Sequence, residues 1–189
     1  MARTRRQEEL YAVAAELFRT KGYHGTSIQD LAEALGIQRG SLYAHIERKE
    51  ELLYGITLEA AQAFLSALEP LQEASGSPLE KLERAFVAHA RVVADHLPAA
   101  SVFFHEWQHL HGEAREEILS LRHRYEELWR RLVKDAFPRA DERLAVRWIL
   151  GGLNWMYQWY RPEGALSPED LARRFYRYAT EGIGGMVHG

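Results

Sequence analysis

His105-Glu106-Trp107-Gln108-His109 sets two imidazoles at i and i+4 with a carboxylate between them. On a helix this spacing puts both rings on one face, where they can share a zinc ion while Glu106 polarises a metal-bound water. The chemistry would be metal-assisted hydrolysis. The pattern extends to Gly112 and then stops: a longer zinc-binding pattern needs a third histidine where this chain has Arg115, and His111 is out of register. Such a five-residue match arises by chance in roughly one chain of this length in twenty, so it is weak alone. A zinc-dependent hydrolase built on His105, Glu106 and His109 is the minor reading, and a regulatory metal is another. The plainer one has this helix flanking a pocket, with Trp107 and the histidines partly buried.

Other reactive sets are missing from the sequence. It has no cysteine, which removes thiolate zinc sites, iron–sulfur clusters and cysteine nucleophiles. It has no glycine-rich phosphate loop and no nucleophile elbow. Glu116-Glu117 and Glu126-Glu127 lie among arginines on an amphipathic stretch, which is the pattern of a solvated helix face. No catalytic residue, resident metal or cofactor is assigned.

The elements that must position these residues are helical nearly throughout. The 189 residues are 47% hydrophobic and 27% charged, the balance of a folded globular chain. No run of alternating β-branched residues appears. Leu10, Ala14, Leu17 and Phe18 give the first helix (about 5–21) one apolar face, and Gly22 ends it. Thr26 with Gln29, or Ser27 with Asp30, reads as a capping box opening the second. A short third helix fits 38–44, and a long fourth runs from Lys49 to near Pro70. Glu73 to Pro78 is the clearest linker, and Ser77 and Ser167 each precede a proline at a helix start. Further helices fit 79–96, 99–110, 113–137, 141–160 and 168–187. The prediction is an all-α protein of about nine helices, divided at 48/49 into a three-helix head and a helical body.

Charge divides the chain at the same place. Residues 1–49 hold 8 Lys+Arg against 6 Asp+Glu, while residues 50–189 hold 16 against 21. A mildly basic head on an acidic body suits a small anion-contacting head. No apolar run approaches the ~20 residues that span a membrane, and the first residues lack a signal-peptide core. The expectation is a cytoplasmic protein with no membrane partner.

Residues 27–44 form helix, glycine turn and short helix, with the turn at Leu35-Gly36-Ile37. The second helix is polar on one side and carries Leu42 on the other, as a helix that reads base edges must. Thr26-Ser27-Ile28-Gln29-Asp30-Leu31-Ala32, Gly36-Ile37, Gly40-Ser41-Leu42-Tyr43-Ala44-His45 and Lys49-Glu50-Glu51-Leu52 together resemble the DNA-binding head of TetR-family transcriptional regulators. Ile46 stands where that family often has Phe, and Arg48 where a small capping residue is common. The resemblance implies that Gln38, Arg39 and Ser41 face the major groove and that Gly40 lets the backbone approach. It implies phosphate contacts from Tyr43, His45, Lys49, Thr26 and Ser27, and an arm of Arg3, Arg5 and Arg6 over the backbone or minor groove.

In the body, the run from Asn154 to Gly164 is similar to a segment of TetR-family members that answer to acyl-CoA thioesters. The similarity implies a repressor released by a fatty-acyl or aromatic acyl-CoA, controlling fatty-acid or aromatic-acid degradation. The acyl group would lie among Phe86, His89, Phe104, Trp107, Trp155 and Trp159. Arg161, with Arg91, Arg122 and Arg147, is a candidate for the CoA phosphates. Another apolar ligand, or a metal, is the alternative effector. A homodimer through the last two helices, with Gly151-Gly152 for close approach and Phe175, Tyr176, Ala179 and Ile183 as an apolar stripe, would present two recognition helices to a pseudo-palindromic operator. The fourth helix, running from Lys49 to Phe64 and Leu68, is the expected lever between ligand and DNA.

Overall fold

In the computed structural model, which describes residues 5–185 and side chains through 182, helix ends fall where local chemistry sets them. Helix α1 (Arg5–Lys21) stops at Gly22, whose φ of +77° suits glycine alone and whose N–H donates to Phe18 O at 3.0 Å. Of the two possible capping boxes for α2 (Ile28–Ala34), Ser27 with Asp30 forms. Thr26 is fully buried, and its hydroxyl donates to Gly22 O (2.9 Å) and Leu17 O (3.2 Å). Gly36, at φ +64°, makes the turn into α3 (Arg39–Leu42).

A single turn such as α3 cannot persist alone, because nucleation costs more than one turn of hydrogen bonds returns. Buried Leu42 and Ile46 tie it to the core of the head. Arg48 offers no capping oxygen at the start of α4 (Lys49–Leu68). Glu51 compensates: its carboxylate accepts from the backbone N–H groups of Glu47 (3.3 Å) and Arg48 (3.2 Å).

A 3₁₀ turn (Glu69–Leu71) leads to α5 (Pro78–Asp95), which Ser77 and Glu80 cap reciprocally. Then come α6 (Leu97–His105), a 3₁₀ turn (Trp107–His109), α7 (Gly112–Ala136), α8 (Glu142–Asn154), α9 (Met156–Trp159) and α10 (Pro168–Gly185). Asp141 caps α8 by accepting from Arg143 N–H (3.1 Å) and Leu144 N–H (3.0 Å). Ser167 Oγ accepts from Asp170 N–H (3.1 Å) at the start of α10.

The described residues are all α, with no strand, as the periodicity predicts. Two predicted helices are interrupted. The helix expected over 141–160 breaks at Trp155 into α8 and α9, giving ten helical segments among the described residues against about nine predicted. The helix expected over 99–110 ends at His105, where the backbone tightens into the 3₁₀ turn.

The chain forms two compact units. The first joins residues up to Ala61 with Pro98–Leu119; the second joins Gln62–Leu97 with residues from Ser120 onward. The predicted division at residue 48 lies inside the first unit, and α4 and α7 each contribute to both. In the first unit Leu10, Phe18, Leu31, Leu42, Leu52 and Leu53 are fully buried. Each such side chain contributes roughly 1.5–3 kcal/mol of apolar burial. In the second unit α5 packs along α10, around Leu82, Phe86, Trp129, Val133, Ile149 and Leu153. Gly152 brings α8 close to α10: a Cβ there would stand 3.2 Å from Phe175 Cε1.

Candidate nucleic-acid interface and effector pocket

The turn at Gly36 and the burial of Leu42 aim the rest of α3 outward. Gln38, Arg39, Gly40, Ser41, Tyr43 and His45 are all exposed. Tyr43, at 47% exposure, projects from an otherwise well-packed head. The Arg39 guanidinium lies 3.4 Å from the Tyr43 hydroxyl. Nothing lies within 4 Å of where a Gly40 Cβ would stand, so the helix backbone is open to close approach. Arg5 is exposed and Arg6 pairs with Glu9 at 2.7 Å; Arg3 lies outside the described residues. Ser27 is exposed, with its hydroxyl and N–H committed to the Asp30 carboxylate. Lys21 beside Asp30 (2.5 Å), with Ser27, holds that carboxyl well below the usual carboxylate range.

Two predicted phosphate contacts are turned inward. Thr26 is in the core. Lys49 Nζ donates to Tyr23 O and Thr26 O, both at 2.6 Å, and sits 4.2 Å from the Tyr23 ring centroid. Partial burial lowers the Lys49 pKa from its ordinary value. Lys49 therefore braces the loop between α1 and α2.

The His-Glu-x-x-His run belongs to the same unit and does not form a helical pair of imidazoles. His105 ends α6 and is exposed, while Glu106 and His109 flank the 3₁₀ turn. Glu106 Oε2 accepts from Tyr23 N–H at 2.7 Å. His109 Nδ1 shares a 3.0 Å hydrogen bond with His24 Nε2, and its ring stacks on Tyr23 with centroids 5.8 Å apart. Among the described residues no three His, Asp or Glu side chains gather as a metal cage.

The predicted ligand residues are divided between the two units. Phe86 and His89 lie buried in the second unit. Phe104 and Trp107 belong to the first, where Phe104 packs on Phe103 and Arg115 lies over the Trp107 ring at 5.7 Å. Trp155 is exposed, with its ring edge against Tyr157; Trp159 stacks on Phe175. Arg161 is exposed and donates to Tyr160 O at 3.1 Å.

The second unit instead contains a buried polar cluster. His89 Nδ1 and the Tyr125 hydroxyl share a 2.9 Å hydrogen bond, against the rings of Phe64 and Trp129. Phe86 meets Trp129 edge-on at 5.4 Å. Burial pushes His89 down to about 3, so it stays neutral, and pushes the Tyr125 hydroxyl upward. Trp129 Nε1 is buried and faces the Tyr125 hydroxyl, whose upward shift its N–H moderates. Burial also lowers the pKa of Arg122, which precedes Tyr125 by one turn of α7. The sequence reading missed Tyr125 and Trp129. The signal was their spacing with Arg122 at i, i+3 and i+7, the inner face of a helix whose outer face is charged.

The outward face of α8 carries large apolar side chains beside Arg143 and Arg147. Leu144, Trp148 and Trp155 are 60%, 56% and 56% exposed, and Gly151 lies between them with open space where its Cβ would be. The stripe predicted on α10 turns the other way. Ala179 is buried, Phe175 packs on Gly152 and Trp159, and the Tyr176 hydroxyl donates to Leu79 O (3.2 Å). The Ile183 side chain lies outside those described. Among the described residues no helix is long and apolar enough to cross a membrane.

Comparison with known proteins agrees with this arrangement. The model for bacterial regulatory proteins of the tetR family matches residues 10–55, and the model for the tetracyclin repressor-like C-terminal domain matches residues 75–183. The chain is 30% identical to the HTH-type transcriptional repressor KstR2 of Rhodococcus jostii, over 94% of this chain and 91% of that protein. It superposes on the TetR-family regulator PfmR of Thermus thermophilus with a TM-score of 0.83, at 37% identity, covering 92% of this chain and 98% of that one. AibR, solved in complex with isovaleryl coenzyme A and operator DNA, gives a TM-score of 0.80 at 27% identity, covering 92% and 97%. With the outward face of α3 and both family models spanning head and body, the chain belongs to the TetR family and is a ligand-responsive, DNA-binding transcriptional repressor, not an enzyme.

Proposed function

We propose that this repressor binds a pseudo-palindromic operator as a homodimer and is released by an acyl-CoA thioester, fatty-acyl or aromatic. Gln38, Arg39 and Ser41 read base edges in the major groove, Arg39 by bidentate contact with a guanine. Tyr43, His45 and the Arg5–Arg6 arm contact the backbone. The α8 stripe of Leu144, Trp148, Gly151 and Trp155 supports the dimer: its i, i+4, i+7, i+11 spacing makes one continuous apolar seam, and a lone chain has no use for three exposed large side chains there. Two heads then meet successive major grooves ~34–36 Å apart.

The observation that carries the effector reading is the buried polar group inside an aromatic core. His89, the Tyr125 hydroxyl and the Trp129 indole N–H are polar groups enclosed by Phe64, Phe86 and the Trp129 ring, and a carbonyl oxygen placed there would accept from the hydroxyl or the indole N–H. A thioester supplies such a carbonyl on an apolar chain. Entry requires these rings to part, so the ligand favours a different arrangement of the body and shifts the population toward it. The similarity to AibR supports the same class of effector. The genes controlled would serve fatty-acid or aromatic-acid breakdown.

Isothermal titration with short, long and aromatic acyl-CoAs, alongside the free acids and free CoA, tests this reading. Binding by one class of thioester, weakened by Tyr125→Phe or His89→Leu, is the expected result. Binding of none of them, or binding unchanged by either substitution, contradicts it.

A further inference from the structure

The run His105 to His109 has no role in the reading above, yet two of its residues hold the loop that joins α1 to α2. The loop opens at Gly22, whose left-handed φ turns the chain, and ends at Ser27, which caps α2. Both backbone polar groups of Tyr23 have a partner from a distant part of the sequence. Its carbonyl accepts from Lys49 Nζ, at the first residue of α4, and its N–H donates to Glu106 Oε2 at 2.7 Å. The Tyr23 ring has the Lys49 ammonium 4.2 Å from its centroid and stacks with the His109 ring. His24 then bonds His109 at 3.0 Å, and the Glu106 carboxylate lies 3.6 Å from His109 Nε2.

These contacts converge on a short loop whose far end fixes the start of α2. The seven-residue α2 and single-turn α3 are too short to set their own orientation. Their aim depends on what holds their ends. Leu42 and Ile46 hold the far side; the near side hangs on the Tyr23–Ser27 loop. A carboxylate accepting a backbone N–H is a strong bond with a defined direction, and removing it leaves that N–H to find water.

We propose that Glu106 and His109 are positioning residues for operator binding. They fix the Tyr23–His24 loop, and through it the angle at which α2 and α3 meet DNA, without touching DNA themselves. The segment Pro98–Leu119 is on this account a working part of the DNA-binding unit, with which it is compactly packed. The proposal rests on α3 being the recognition helix.

The test uses the full-length protein and the variants Glu106→Ala, Glu106→Gln and His109→Ala. Glutamine keeps an acceptor oxygen for Tyr23 N–H; alanine does not. Operator affinity is measured by fluorescence anisotropy over a range of salt concentrations, and exchange of the Tyr23 amide by hydrogen–deuterium exchange without DNA. Expected are about tenfold weaker binding for Glu106→Ala and His109→Ala, rescue to within about twofold in Glu106→Gln, and an unchanged slope of log K against log [salt], because no phosphate contact is lost. The Tyr23 amide should be protected in the wild type and in Glu106→Gln, and exposed in Glu106→Ala. Wild-type affinity in Glu106→Ala overturns the proposal. So does an unprotected Tyr23 amide in the wild type, which reads the contact even if Glu106→Ala fails to fold. A protected amide in a wild type that binds no operator contradicts the recognition-helix assignment instead.

Discussion

Lys49 Nζ reaches back twenty-six positions to the carbonyl of Tyr23, at 2.6 Å, and closes the loop between α1 and α2 from inside the head. A lysine at a helix start beside a recognition helix suggests a phosphate contact, but this ammonium is spent on two backbone carbonyls and a ring. Lys49→Met should therefore lower the thermal midpoint and weaken operator binding about tenfold while leaving the salt slope unchanged. A slope smaller by about 1, with an unchanged midpoint, would mean that Lys49 meets a phosphate after all.

Arg39 should behave differently. It is exposed and on the outward face of α3. Arg39→Ala should cost about 1–3 kcal/mol at one base pair of the operator and relax the preference at that position. Arg5→Ala should weaken binding evenly across operator variants and reduce the salt slope by about 1. Anisotropy against single-position operator variants separates the two patterns. An equal loss across all variants for Arg39→Ala would remove it from base reading.

The α8 seam yields a prediction free of folding artefacts. Gly151 has nothing near its missing Cβ within its own chain. Gly151→Leu should leave the isolated chain as stable as before, or raise its helix propensity by up to about 1 kcal/mol. It should still separate the dimer, as should Trp148→Glu. Analytical ultracentrifugation checks this, and monomeric variants should lose operator affinity more than tenfold. A dimer that persists in both variants places the interface elsewhere.

His89 sets a pH dependence of stability. Its folded pKa, about 3, lies far below the ordinary imidazole value of about 6.5 because burial opposes the charged form. Between those values the unfolded chain takes up a proton that the folded chain refuses. Stability from this group is full above about pH 6.5 and falls as pH drops toward 3, by up to about 1.4 kcal/mol per pH unit. Urea unfolding at pH 7, 6, 5 and 4 should show this slope in the wild type and a shallower one in His89→Gln. Equal slopes would assign the acid sensitivity to other groups.

What the sequence made legible was local. Ser27 with Asp30, Ser77 with Glu80, and the glycines at 22 and 36 act within a few residues, so spacing alone places the helices they bound. The outward side of α3 was legible for the same reason: Leu42 marks its buried side, and its polar neighbours must face out. What failed depended on partners far away in sequence. Glu106 and His109 looked like metal ligands because their spacing fits one helix, but the chain tightens after His105 and sends them to Tyr23 and His24. Trp155 and Trp159 looked like pocket walls because large aromatics cluster there, yet one faces outward and the other packs on Phe175. Tyr125 and Trp129 were hidden in a helix whose charged outer face reads as solvated, and only their pairing with His89 across the body brings them to notice.

Operator binding and its reversal by a thioester can be read in one assay. The most direct measurement is fluorescence anisotropy of the full-length protein on DNA from upstream of its own gene, at fixed salt, with acyl-CoAs of short, long and aromatic type titrated in. The account predicts tight binding, reversed by one class of thioester and not by the matching free acid or by CoA alone. Tight binding that no thioester disturbs would contradict the effector assignment, and no binding at any salt concentration would contradict an operator in that DNA.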